Sequence, residues 1–361
     1  MKLENQNILI VSNEPWGDVW YSKHNWAYEL SKKNRVVFIN PPKPWVFKNL
    51  FSTKISTSNY SSTLTILNYT NRFPFTRFEF LSNINELLIS QTIKKWLKNN
   101  VVSDYIFWTF DPYRFSSPKQ FQSKLTIYFR VDKYINDREK TLLKNTDKLV
   151  VVSKELLNDI EFNGDILELS HGISEEEFIN DNTIEYEKDF ILYIGNIDHR
   201  LDVDLIDKML VEFPEEIFLF IGKIGDVKND LFHEIFLKNK HKNLILHGAE
   251  YFKTLKNYIA QAKVCIAPMF LEVNGNNINH HKLLQYLALG RPVLVPQFID
   301  YQNNTLVYSY KNHEEGVKQL NKILNEEENQ FIIKERIIFA KQFTYNNLIK
   351  KVEQFLTESA N

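Results

Sequence analysis

A single cysteine, Cys265, leaves no internal disulfide to form and fits a reducing compartment. No apolar run approaches the ~18–20 residues that a membrane-spanning helix needs, and the opening MKLENQNILIVS enters a strand pattern without a charged-then-apolar signal segment. A cytoplasmic location is therefore expected. Net charge is nearly absent too: 44 basic against 45 acidic residues give −1, which excludes a global pull toward nucleic acid. Familiar fingerprints are also missing. The loop after Ile8–Ser12 reads NEPWGD rather than G-x-G-x-x-G, which weighs against NAD or FAD. No G-x-x-x-x-G-K-S/T phosphate loop occurs, and no G-x-S-x-G elbow, which argues against a Ser-His-Asp hydrolase.

What is present is an alternation of short apolar strands with helical patterns, in a chain long enough for two domains. Strands are expected at Asn7–Ser12, Arg35–Asn40, Leu64–Leu67, Tyr105–Thr109, Leu125–Arg130, Leu149–Val152 and Ile166–Leu169. Helices are expected between them at Ser22–Lys32, Ile84–Lys98, Asp137–Lys144 and Lys154–Phe162. Residues Ser174–Lys188, rich in acid and Asn, read as a linker. A second series follows, with strands Phe190–Gly195, Ile217–Ile221, Leu244–His247, Val264–Ala267 and Val293–Val295. Its helices are Asp202–Glu212, Lys253–Gln261 and Asn279–Leu289, and from Glu314 onward the pattern is helical. The expected fold is α/β: a first Rossmann-like domain over 1–175 and a second over 186–344, facing a cleft at the carboxyl ends of both sheets.

The segment Ile278–Pro296, INHHKLLQYLALGRPVLVP, is the most informative. A helix carrying Lys282 and Gln285 one turn apart stops at Gly290 and leads into the apolar strand PVLVP, which is half of a nucleotide-binding unit. Lys282 offers a point charge to a diphosphate, and Gln285 can donate to and accept from ribose hydroxyls. The alternative is two solvated residues opposite an apolar face of Leu283, Leu284, Leu287 and Ala288. Gly195 ends a strand and lets backbone approach a phosphate, with Arg200 supplying a bidentate fork. The plain reading of the same residues is an ordinary strand–turn–helix capped by Asp202. Asp132, after the strand Leu125–Arg130, stands at a carboxyl end and is a candidate general base, or else a cap for the next helix. Asp111, followed by Pro112, is a weaker competitor with the look of turn chemistry. Glu14 and His24 are candidate acceptor contacts. Asp202-Val203-Asp204 matches a D-x-D pattern but opens a helix, where acids suit the macrodipole. His280-His281 lacks further ligands at metal spacing, so no metal is expected.

Charge is uneven in one stretch. Pro41–Phe78 contains no acid, while Lys43, Lys48, Lys54, Arg72 and Arg77 alternate with Trp45, Phe47, Phe51, Phe73, Phe75 and Phe78. Either the aromatics pack inward beneath a solvated basic loop, or this is a patch that docks on anionic lipid.

Five landmarks, DKLVVVS (147–153), SHGISEEEF (170–178), YIGNIDHRLD (193–202), NLILHGAEYFKTLKNYIAQAKVCIAPM (243–269) and HKLLQYLALGRPVLVP (281–296), together resemble the GT-B glycosyltransferases over nearly the whole chain. The shape of 193–202 looks like the teichuronic-acid-type branch. IAPM followed by KLLQY, with HGI and RVD before, is similar to the xanthan β-glucuronosyltransferase type. The resemblance implies that Lys282 and Gln285 contact UDP, that Asp132 is the catalytic base, and that the acceptor is a polyprenyl-diphosphate-linked sugar at the membrane. It also implies that a final helix, 345–361, returns to complete the first domain. Two departures stand out. Where retaining relatives carry two glutamates eight apart, this chain has Asn277 and Gln285, which tilts the expectation toward inversion; and the glycine-rich loop after the first strand keeps only Gly17.

The expected function is therefore metal-independent transfer of a sugar from a nucleotide-sugar, UDP before GDP, to a hydroxyl of a glycan or lipid-linked oligosaccharide in cell-surface polysaccharide synthesis. Lys282 and Arg200 would meet the diphosphate, Gln285 the ribose, and the Glu250–Tyr251 loop would border the base. The location would be cytoplasmic, peripheral on the cytosolic face of the inner membrane. A retaining enzyme of the same clan, a nucleotide-sugar 2-epimerase and an inactive binding subunit are the alternatives.

Overall fold

The computed structural model of the protein describes residues 1–50, 54–134, 136–179, 189–271, 281–298, 301 and 303–358. The chain forms two compact units, one of Met1–Ser170 with Asn346–Asn361, the other of His171–Tyr345.

The first unit is built on an eight-stranded sheet: β1 (Asn7–Val11), β2 (Arg35–Ile39), β3 (Ile55–Asn59), β4 (Leu64–Tyr69), β5 (Tyr105–Thr109), β6 (Leu125–Arg130), β7 (Lys148–Val151) and β8 (Asp165–Glu168). Their spatial order is β3-β4-β2-β1-β5-β6-β7-β8, parallel throughout except for β3 against β4. Strands such as ILIV in β1 and YIFW in β5 are apolar without alternation because both faces of a parallel sheet are covered. Each fully buried Ile, Leu or Val there contributes roughly 1.5–3 kcal/mol. Strand β3, ISTSN, is the exception and was not expected. It is a polar edge strand, and Ser, Thr and Asn at an exposed edge read in sequence as loop while blunting the edge against further pairing. Helices α1 (Ser22–Ser31), α2 (Glu79–Asn99) and α3 (Asp137–Leu143) are where the periodicity puts them, α2 starting five residues earlier. The helix expected at Lys154–Phe162 is only a short 3-10 turn, Lys154–Leu157.

The second unit carries six strands: β9 (Phe190–Ile194), β10 (Ile217–Ile221), β11 (Leu244–Gly248), β12 (Val264–Ile266), β13 (Val293–Pro296) and β14 (Tyr308–Tyr310). All are parallel in the order β11-β10-β9-β12-β13-β14, the doubly wound 3-2-1-4-5-6 arrangement. The strand order reverses between β9 and β12, so ligands are expected at the carboxyl ends of those two strands. Helices α4 (Val203–Glu212), α5 (Asp230–Phe232, continuing as a π-helical turn His233–Leu237), α6 (Leu255–Gln261) and α7 (His281–Ala288) connect them. Strand β14 and α5 were not expected: YSY is too short to show a period, and the 230–237 segment mixes two helical types. The N-terminal half of the supposed linker is not linker. Ser174 and Glu177 form a reciprocal capping box around the turn Glu175–Phe178; residues 180–188 lie outside the described ones.

Helices α8 (His313–Asn325), α9 (Gln330–Lys341) and α10 (Tyr345–Glu358) end the chain. From Asn346, α10 belongs to the first unit, where the backbone N–H of Leu3 donates to Glu353 Oε1 at 2.7 Å and Leu348, Val352 and Leu356 are buried. Among the described residues no helix is long and apolar enough to cross a membrane.

Candidate functional site

In the second unit the site is assembled around the carboxyl end of β9. Gly195, the residue after the strand, has φ +142°, a region that glycine favours, and its N–H donates to Ile221 O at 2.9 Å. A Cβ there would lie 2.8 Å from Lys282 Nζ and 2.9 Å from the Tyr193 hydroxyl. The missing side chain is what admits the ammonium. Lys282 comes from the first turn of α7, whose end is fixed by a Schellman motif. Arg291 N–H donates to Tyr286 O, Gly290 N–H donates to Leu287 O, and Gly290 takes φ +69°.

Lys282 Nζ donates to the Tyr193 hydroxyl at 3.3 Å and lies 4.5 Å from the centre of that ring. No carboxylate pairs with it among the described residues. Burial pushes its pKa down from 10.5 to about 7, and the neighbouring Arg200 pushes the same way, with Asp198 opposing. A cation held in this state gains from any anion that enters. Arg200 itself is not open as expected. Its Nε and Nη2 already fork onto Asp198 Oδ1 and Oδ2 at 2.9 and 2.8 Å. Burial raises the Asp198 pKa, but Arg200's side-chain and backbone hydrogen bonds outweigh it, leaving the carboxyl below its ordinary value.

Gln285 lies one turn beyond Lys282 but is neither solvated nor unengaged. It is buried, and its Nε2 donates to Glu177 Oε2 at 2.6 Å. Asn277 and the start of the expected helix at Asn279 and His280 lie outside the described residues. His281 is described, and burial takes its pKa down to about 4 despite a bond to the Gly172 backbone, so it is a neutral packing residue. Glu250 builds its own turn: Oε1 accepts from Tyr251 N–H at 2.7 Å and from the Thr254 hydroxyl at 2.9 Å. The Tyr251 ring is the exposed member of that pair. Asp202 caps α4 by accepting from Leu205 N–H at 3.1 Å, and its other oxygen meets His313 Nε2 at 2.9 Å. Its carboxylate is thus spoken for, and Asp204 is exposed on the helix.

In the first unit, Asp132 follows β6 and is exposed. It does not cap the next helix. Asn136 does that, accepting from Glu139 N–H at 2.8 Å. Asp132 makes no hydrogen bond or ion pair among the described residues, and its charge acts on Lys23, Tyr113 and Tyr134. The arginine before it is structural. Arg130 is wholly buried, with Nε on Glu139 Oε1 at 2.8 Å and Nη1 on Asp159 Oδ1 at 3.0 Å. Asp111 is likewise committed, accepting from Tyr113 N–H at 2.7 Å and from Arg114 Nε at 2.5 Å. Arg114 then ties Asn40 O and the Tyr69 hydroxyl at 2.9 and 2.7 Å. His24 is a core residue, with Nδ1 accepting from Tyr21 N–H and Nε2 donating to Pro15 O, each at 3.0 Å. Burial lowers its pKa to about 4.

Lys23 was not singled out in the sequence. It is buried, its Nζ donates to Asn13 Oδ1 at 2.6 Å, and it stands in the field of Glu14, Asp132 and Asp111. Glu177 was missed as well, although the S-x-x-E capping box spanning Ser174 and Glu177 was there to be read.

In the basic stretch 41–78 the aromatics divide between inward-turned and exposed. Trp45 turns in, its Nε1 donating to Arg72 O at 3.1 Å, whereas Phe47, Phe75 and Phe78 are 70, 63 and 53% exposed. Phe80, just beyond, is 74% exposed, and the Arg77 guanidinium lies 5.1 Å over the Phe78 ring. Phe51 lies outside the described residues.

The sequence matches no family model. No curated protein matches it by sequence. Solved structures do match. A sucrose-phosphate synthase from Thermosynechococcus elongatus superposes with TM-score 0.71 at 14% identity, over 98% of this chain and 99% of that one. An alpha,alpha-trehalose-phosphate synthase (UDP-forming) from Burkholderia xenovorans gives 0.69 at 10% identity, over 99% and 100%. A trehalose-6-phosphate protein from E. coli bound with UDP-2-fluoro glucose gives 0.66 at 11%, over 98% and 99%. At these identities the likeness carries the fold, which is GT-B: two Rossmann-like domains, the first completed by the C-terminal helix.

Proposed function

We propose that the protein is a glycosyltransferase that uses a nucleotide-sugar, UDP-linked, as donor. The observation that carries this reading is the Lys282 ammonium held above Gly195 at the β9/β12 switch point, without a carboxylate partner among the described residues. The neighbours' printed names support the donor class, since they include a UDP-forming synthase and a protein bound to UDP-2-fluoro glucose.

In the proposed reaction the acceptor oxygen attacks C1 of the sugar, the bond from C1 to the diphosphate oxygen breaks, and UDP leaves with the electron pair. Lys282 meets the charge that develops on the diphosphate, with Arg200 adding positive potential that Asp198 partly offsets. This electrostatic clamp is why the reaction is proposed to need no metal ion. Asp132 takes the acceptor's proton, which fits a carboxylate that is exposed and unpaired among the described residues, and favours inversion at C1. Gln285 holds ribose, and the exposed Tyr251 ring borders the base.

For the acceptor we propose a glycan hydroxyl on a polyprenyl-diphosphate carrier, in cell-surface polysaccharide synthesis. What supports this is the acid-free segment 41–78 with its exposed Phe47, Phe75 and Phe78, which suits an anionic bilayer surface on the cytosolic side. The kinship to the teichuronic-acid and xanthan types belongs to the same proposal.

Calorimetry with UDP, followed by incubation with UDP-sugars with and without lipid-linked acceptors, tests it. Binding in the micromolar range and acceptor-dependent release of UDP are expected. Epimerised donor without acceptor would replace transfer by 2-epimerisation, and folded protein that binds no nucleoside diphosphate would leave only a binding subunit.

A further inference from the structure

The Gln285 side chain ends in two groups of opposite character, a donating Nε2 and an accepting Oε1. Which of them meets a ligand depends on what holds the other. Glu177 makes that choice. A carboxylate accepts and does not donate, so Gln285 must turn Nε2 toward it, as the 2.6 Å contact shows. Glu177 cannot swing aside either. Its other oxygen accepts from Ser174 N–H at 2.9 Å, closing the capping box of the turn Glu175–Phe178. Both side chains are buried, and Gln285 Oε1 has no hydrogen-bond partner among the described residues.

We propose that Glu177 is a positioning residue that locks the Gln285 amide with its carbonyl oxygen turned toward the nucleotide, so that the site reads a ribose hydroxyl as a hydrogen-bond donor. The arrangement yields an acceptor oxygen one helical turn from Lys282. This inference rests on the nucleotide-sugar reading.

The test compares Kd values for UDP, 2′-deoxy-UDP and 3′-deoxy-UDP by calorimetry on the full chain, for wild type, Glu177→Gln and the exchange Glu177→Gln/Gln285→Glu. Wild type should prefer UDP over one of the deoxynucleotides by about fivefold, the worth of one hydrogen bond. Glu177→Gln leaves two amides that can pair in either sense, so that preference should shrink to about twofold or less. In the exchange, the amide now at position 177 donates into the carboxylate now at position 285, and an accepting oxygen again faces outward, so the preference should return. A preference unchanged in Glu177→Gln, or not restored in the exchange, overturns the proposal. Should Glu177→Gln fail to fold, the exchange, which keeps the hydrogen bond with its partners reversed, still decides by matching or missing the wild-type ratio. Wild type that binds all three nucleotides equally overturns the positioning role alone, and wild type that binds no nucleotide brings down the underlying reading as well.

Discussion

Nucleotide binding should take up a proton at Lys282. The ammonium titrates at about 7 in the free protein, below the ordinary 10.5, because burial and then Arg200 disfavour its charge. That displacement corresponds to roughly 5 kcal/mol held against the charged form, as an order of magnitude. A diphosphate placed against Nζ offsets the penalty and lifts the pKa again. The sign follows from linkage: below pH 7 the lysine is already charged, so binding changes no proton. Above pH 7 the free protein has lost a proton that the complex keeps, so affinity falls with rising pH, by at most about tenfold per unit. Between pH 7 and 9 the UDP Kd should therefore rise by about 10- to 100-fold. Calorimetry at pH 8 in HEPES and in Tris should show apparent enthalpies that differ by nearly the full difference between the two buffers' ionisation enthalpies. Lys282→Arg is the control. Its guanidinium stays charged throughout, so its profile records only the nucleotide's own ionisation. A wild-type profile that parallels Lys282→Arg, with the same enthalpy in both buffers, would refute the reasoning.

Further outcomes follow from the same geometry. Because the folded-state pKa of Lys282 lies below the unfolded value, its charge costs stability at pH 7 and below, and that cost fades as pH rises from 7 toward 10.5. Lys282→Met should thus raise ligand-free stability at pH 7 by ~1–3 kcal/mol in a denaturant titration while losing UDP binding. Gly195→Ala puts a methyl 2.8 Å from Lys282 Nζ at φ +142°. It should destabilise by about 1–3 kcal/mol and weaken UDP binding, whereas unchanged affinity would mean that Lys282 does not use this gap. Asp132→Asn should abolish turnover and leave UDP affinity within about twofold, since the residue makes no hydrogen bond or ion pair among the described residues; an active variant removes it as the base. Phe47→Ser combined with Phe75→Ser should reduce co-sedimentation with anionic vesicles several-fold, and retention equal to wild type would discard the membrane surface.

Most of the sheet scaffold was legible because parallel strands buried on both faces leave unbroken apolar runs, as in FILYI of β9 and LVV of β7. Strand β3 was not legible, since its side chains face solvent at an edge and carry no apolar signature. In the candidate site, Lys282 and Gly195 could be picked from helix and strand grammar. Arg200, Gln285 and Asp111 kept their positions but not their expected freedom, each being engaged by a carboxylate or cation. Lys23 was hidden because a lysine in a helix reads as solvated until the fold buries it.

The sequence by itself determined the doubly wound alternation of elements, the Gly290 stop, the Asp202 cap and the run of cations without acids at 41–78. These are local matters of period, capping and composition, which a chain carries wherever it folds. Only the tertiary structure decided which polar groups are already satisfied. Glu177 and Gln285 are 108 residues apart, and Lys282 and Tyr193 are 89. Hydrogen bonds across such distances in the chain depend on packing rather than on pattern. Packing alone determined that Lys282 stands as a desolvated cation above a glycine while Arg200 stands paired.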